Sequence, residues 1–112
     1  MAEFADRVRA KSSKKIDPEI AALKMAPHSL EAEQAVLGGL LLDNEAFDQV
    51  AEQISDQDFY RYEHRLIFQA ISQLEAKSQP FDPITLSETL KAMGELENVG
   101  GEVYLFEIAQ NT

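Results

Sequence analysis

Residues 27–42 read PHSLEAEQAVLGGLLL, and the fold turns on how they are read. Ser29 is a good N-cap, with Glu31 and Glu33 in the first turn near the positive end of the helix dipole. At 100° per residue, Leu30, Ala32, Val36, Leu37, Leu40 and Leu41 sweep a broad apolar face, so the spacing predicts one well-buried helix over residues 30–42. Two features resist that reading. Gly38 and Gly39 lie mid-helix, where a glycine costs about 1 kcal/mol relative to alanine, so close packing must offset them. Phase puts Gly39 beside Val36 and Ala32, and a second helix backbone is expected to cross there, supplied by residues 63–76. Glu33 falls between Val36 and Leu40 on the apolar side. Its carboxylate is expected to meet free backbone N–H groups or an arginine, with Arg65 the candidate, or else to reach past the helix end to water.

The flanking sequence extends the helical pattern in both directions. Asp17-Pro18-Glu19 has the form of a cap, a first-turn proline and a first-turn acid, which predicts a short helix over 18–24 whose stability without a partner is marginal. Downstream, Asp43-Asn44 ends the central helix and caps the next. There Phe47, Val50, Ala51 and Ile54 recur at i, i+3, i+4 and i+7. Residues 55–58, Ser-Asp-Gln-Asp, form a tight turn or a single helical turn, and Phe59 and Tyr60 follow as aromatic surface for the core. A longer helix is predicted over 63–76, with Ile67, Phe68, Ile71 and Leu74 inward.

Pro80 and Pro83 mark a turn. The next helix has two candidate starts, Asp82 as cap with Pro83 at the first position, or the capping box from Thr85 to Glu88. Leu86, Leu90 and Met93 form its core side, and Gly94 is the expected left-handed stop, with Leu96 folding back. A last helix over 101–110 uses Tyr104, Leu105 and Ile108 as its stripe. Val103 and Phe106 lie off that stripe. They either widen the core face or pack on something outside this chain. The class is therefore all-α: a compact bundle of about five to six short helices, preceded by a disordered tail.

With 112 residues and 45% hydrophobic content the chain suits one compact domain, and it has no cysteine. No disulfide framework or thiolate metal site is available, and no apolar run has the length of a membrane span or of a secretory signal. A cytoplasmic location is the expectation. The net charge of −10 is unevenly spread. Residues 1–24 carry six basic against four acidic side chains, a net of +2, whereas residues 25–112 carry four against sixteen, a net of −12. A domain that gains affinity by neutralising phosphates needs clustered Lys and Arg, so direct nucleic-acid binding by the acidic part is not expected. A basic protein partner suits it better. Residues 1–16 read as a flexible basic tail and 17–26 as an arm. Phe4, Val8, Ile16, Ile20 and Leu23 are spaced apolar residues in this charged segment, as in one that orders on a partner, although a solubilising extension would look the same.

The chemical motifs are sparse. A phosphate-cradling loop needs Gly-x-x-x-x-Gly-Lys-Ser/Thr, and neither Gly38-Gly39 nor Gly100-Gly101 is followed by such a lysine. His28 and His64 fit no zinc pattern, and His64, near a helix start, reads as a packing or hydrogen-bonding residue. Carboxylates are numerous enough to pair by chance. No catalytic, cofactor-binding or metal residue is therefore assigned.

The same residues carry a resemblance. PHSLEAEQAVLGGLLLDN over 27–44, DFY over 58–60, HRLIF over 64–68, DPITLSETL over 82–90 and VGGEVYL over 99–105 resemble, in order and spacing, the N-terminal domain of bacterial replicative DNA helicases of the DnaB family, with a gammaproteobacterial flavour. The likeness covers residues 17–112. It implies a noncatalytic collar domain of a hexameric helicase that unwinds DNA 5′ to 3′ with ATP and Mg²⁺ bound to a downstream RecA-like motor. It further implies that the helical hairpin, linker and motor that follow in the family are absent here. The implied partners are other helicase subunits, the C-terminal domain of primase and a helicase loader. Two other classes stay open, a free-standing acidic adaptor or inhibitor that binds replication proteins, and an acidic mimic of nucleic acid.

Overall fold

The computed structural model describes residues 17–25 and 29–110. Six α-helices are present among them: α1 Asp17–Met25, α2 Leu30–Leu42, α3 Phe47–Gln53, α4 Tyr62–Ala76, α5 Pro83–Ala92 and α6 Gly101–Gln110. Short 3₁₀ turns at Asn44–Ala46, Asp56–Asp58 and Glu97–Val99 connect them, and no strand occurs among the described residues. The all-α expectation holds.

Local chemistry sets the boundaries. Ser29 Oγ accepts from the Ala32 N–H at 3.1 Å and starts α2. Of the two candidate starts for α5, the structure uses Asp82. Its Oδ1 accepts from the Thr85 N–H at 2.8 Å, Thr85 Oγ1 accepts from the Asp82 N–H at 2.9 Å, and Pro83 occupies the first turn. The 55–58 segment is a single 3₁₀ turn in which Ser55 N–H donates to Asp58 Oδ2 at 2.8 Å. Gly94 closes the end of α5 with φ 75°, and the Glu95 N–H returns to the Leu90 carbonyl at 2.8 Å. That positive φ is the reason for a glycine there.

The central helix is packed on by α1, α4 and α6. The burial of the glycine pair departs from the phase expected for it. Gly38 is the fully buried glycine and Gly39 is only half-buried. Ala32, Glu33, Val36, Leu37 and Leu40 share one buried arc of α2, with Gly39 at its edge and Gly38 buried outside it. On α3, Phe47 and Val50 are buried, with Ile54 just beyond, while Ala51 is exposed. The core joins Val36, Leu37 and Leu40 of α2 to Ile67, Phe68 and Ile71 of α4 and to Leu86, Leu90, Leu105 and Ile108. Phe59 and Phe81 enter it from connecting segments.

The loop before α5 is held by one side chain. Asn44 Nδ2 donates to the carbonyls of Leu40 at 3.0 Å and Phe81 at 3.1 Å, while its Oδ1 accepts from the Phe81 N–H at 2.9 Å. The amide thus pairs with a backbone unit as a neighbouring strand would. Asn44→Ala removes all three bonds, and a loss of about 1–3 kcal/mol is expected in urea unfolding, with Phe81 fluorinated and followed by ¹⁹F NMR as the local reporter.

Candidate functional site

The oddity in the apolar stripe of α2 resolves into a buried polar chain across three helices. Glu33 is 2% exposed and His64 is 0% exposed. Glu33 Oε2 accepts from the Tyr60 N–H at 2.6 Å, and Oε1 accepts from the Arg61 N–H at 3.3 Å. These are orphan donors at the approach to α4, so the carboxylate of one helix serves the start of another. His64 Nδ1 stands 2.6 Å from Glu33 Oε1, and Nε2 stands 2.6 Å from the Tyr104 hydroxyl on α6. Gln34 Nε2 donates to the same hydroxyl at 3.0 Å.

One proton assignment satisfies every group. A carboxylate that already collects two N–H donors is an acceptor, so Nδ1–H donates to Glu33, the Tyr104 O–H donates to Nε2, and the Tyr104 oxygen accepts from Gln34. The imidazole and phenol rings lie nearly parallel, 7° apart with centroids at 5.8 Å. Burial pushes the Tyr104 hydroxyl above its ordinary pKa, against a smaller lowering by the Gln34 hydrogen bond. The order carboxylate, imidazole, hydroxyl resembles a nucleophile relay, but the hydroxyl is a phenol whose pKa burial raises and whose oxygen already accepts from Gln34, so it is held protonated. The arrangement ties α2, α4 and α6 together.

Arg65 is not the partner of Glu33. Its Nε donates to the Phe59 carbonyl at 2.6 Å. In a helix start carrying His64 and Arg65 side by side, the imidazole points into the dry interior and the guanidinium stays at its edge, where its charge needs less desolvation. Sequence reasoning marked Glu33 and gave His64 a hydrogen-bonding role, but it counted Tyr104 only as part of an apolar stripe. The signal available was the hydroxyl itself, since a phenol on a core face needs a partner.

The remaining candidate residues separate. Phe4, Val8 and Ile16 lie outside the described residues. Ile20, expected to be kept for a partner, is 3% exposed and belongs to the core, with half-buried Leu23 packed against it. The arm thus packs on α2. Val103 and Phe106 are 68% and 44% exposed. Leu105 and Ile108 are the fully buried residues of α6, so Val103 and Phe106 flank the side of the helix opposite the core and do not widen its inner face.

Among the described residues neither glycine pair is placed as a phosphate-cradling loop. Gly38-Gly39 is inside α2, and Gly100-Gly101, with φ 104° and 75°, leads into Glu102 and Val103 with no lysine to meet a phosphate. Among the described residues no group of three His, Asp or Glu side chains is placed to hold a metal ion, and no helix is long and apolar enough to cross a membrane.

The model of the DnaB-like helicase N-terminal domain matches residues 25–112. The chain belongs to this DnaB family. Among its relatives, the replicative DNA helicase DnaB of Buchnera aphidicola subsp. Schizaphis graminum is 54% identical over 94 residues, covering 84% of this chain and 20% of the relative. The replicative DNA helicase DnaB of Haemophilus influenzae is 44% identical over 109 residues, covering 97% and 23%. The crystal structure of the N-terminal domain of DnaB helicase from Mycobacterium tuberculosis superposes with a TM-score of 0.74 at 37% identity, covering 77% of this chain and 60% of that one. The chain thus spans about a fifth of the length of these DnaB relatives.

Proposed function

We propose that this DnaB-family domain is a noncatalytic collar module of a hexameric replicative helicase, serving ring assembly and the docking of primase or a helicase loader. The observation that carries the reading is the apolar outer face of α6. Val103 and Phe106 are displayed away from the core on the last helix of a domain whose relatives continue far beyond it. An exposed aliphatic and aromatic pair at i and i+3 on a rigid helix is the kind of anchor that partner surfaces bury. The acidic character of residues 25–112 favours a basic partner surface. The nucleotide, Mg²⁺ and DNA unwinding belong, in this reading, to the longer protein at the replication fork in the bacterial cytoplasm.

The test is a calorimetric titration of the domain with the C-terminal domain of its cognate primase, repeated with the cognate loader, alongside sedimentation of the domain alone. Val103→Glu and Phe106→Glu are each expected to weaken whichever association is seen by about tenfold, while thermal stability stays close to that of the parent. The docking role is lost if neither partner binds and the domain does not self-associate, or if both variants bind as the parent does.

A further inference from the structure

The last helix is attached to the domain in an unusual way. It begins at two glycines in the left-handed region, Gly100 at φ 104° and Gly101 at φ 75°. At Gly101 an added Cβ would meet nothing within 4 Å, so the backbone conformation alone accounts for the glycine. At Gly100 an added Cβ would come within 3.0 Å of Tyr104 Cβ, so the junction seats directly beneath that side chain. Beyond the junction, α6 has two fully buried residues, Leu105 and Ile108, whereas α4 has seven buried residues. The polar attachments are correspondingly prominent. The Tyr104 hydroxyl joins His64 and Gln34, and Glu102 Oε2 accepts from Ser87 Oγ at 2.9 Å.

We propose that α6 is a hinged helix, pivoting at Gly100-Gly101 and latched by the Tyr104 hydroxyl, and that it opens as a unit while α4 stays closed. A segment with fewer buried residues than α4 and a permissive backbone junction can open sub-globally while that core helix stays closed. The latch sits one turn from the junction and faces α2 and α4 together. Its release frees the orientation of Val103 and Phe106, so a partner that grips the outer face in the closed position would stabilise the latch by linkage. That last consequence rests on the docking reading, but the hinge itself does not.

Native-state amide hydrogen exchange on this chain, read residue by residue by NMR, tests the hinge without any partner. In the parent, the amides of residues 105–110 should exchange through an opening that leaves the interior amides of α4 protected. Tyr104→Phe keeps the ring and deletes the latch, and should accelerate 105–110 roughly tenfold while leaving α4 unchanged. Gln34→Ala, on the half-buried side of α2, removes only the lateral bond and should act in the same selective direction with a smaller effect. Acceleration of α4 and α6 alike in both variants would show one cooperative unit and overturn the proposal. So would unchanged exchange of residues 105–110 in Tyr104→Phe.

Discussion

Glu33→Ala is expected to lower folding stability by about 3–5 kcal/mol, because it removes an acceptor shared by three donors and each buried donor left unmade costs about 1–3 kcal/mol. Three donors converge on the Glu33 carboxylate: the N–H groups of Tyr60 and Arg61 and the Nδ1 side of His64. Alanine leaves them without an acceptor in a region water does not reach freely, and each unmade bond of this kind has a cost of its own. Domains of this size are held by about 5–15 kcal/mol in total, so the variant should unfold at much lower urea. Glu33→Gln separates charge from shape. Its carbonyl oxygen still serves one side, but its amide NH₂ must face either the Tyr60 N–H or His64, donor against donor. A loss of about 1–3 kcal/mol is expected. Urea unfolding followed by circular dichroism ranks the parent, Gln and Ala in that order. If Ala were as stable as the parent, the carboxylate would not be the junction of the three helices.

The legibility of this fold differed between its periodic and its aperiodic parts. Residues 30–42, 63–76 and 101–110 carry strong apolar spacing, and the structure places helices there with boundaries within a residue, because burial of one stripe dominates their energetics. The DnaB resemblance rested on the same segments and is matched by the family over residues 25–112. What the pattern could not resolve was direction. His64 and Arg65 are adjacent, about 100° apart on the helix, and opposite charge favoured the arginine as the partner of Glu33. The structure chose the imidazole, which has two sites for hydrogen bonds and carries less desolvation cost into a dry site. Asn44 and Phe81 were equally out of reach. They meet across an aperiodic loop, where only the three-dimensional path of the chain brings an amide to a backbone unit. The burial of Gly38 was missed for a different reason, since phase arguments assume one buried face and α2 is packed on several sides.

Phe59→Ala should be comparably severe, with an expected loss of about 3–5 kcal/mol for a fully buried aromatic truncated in a packed core. Phe59 is completely buried in the segment between the 55–58 turn and α4, with its ring centroid 5.4 Å from that of Phe68 and 6.4 Å from that of His64. Its carbonyl also receives the Arg65 Nε–H, so the residue is fixed at both ends. Phe106→Ala is the control, because that ring lies on the outer face and its removal should cost within about 0.5 kcal/mol. The ring of Phe59 does more than fill space. The next residue is Tyr60, whose N–H is held at 2.6 Å by Glu33, so a shift of the 59–61 backbone into a cavity lengthens the bonds that the carboxylate makes. The two sites should therefore be coupled. Phe59→Leu and Glu33→Gln, mild enough to leave a folded population, are expected to cost less together than the sum of their separate losses, with an interaction of about 0.5–3 kcal/mol in a double-mutant cycle. Strict additivity would mean that the aromatic core and the buried polar chain are independent. A shortfall would mean that Phe59 sets the position of the N–H groups that bind the Glu33 carboxylate, and that the apolar packing and the polar junction form one cooperative element.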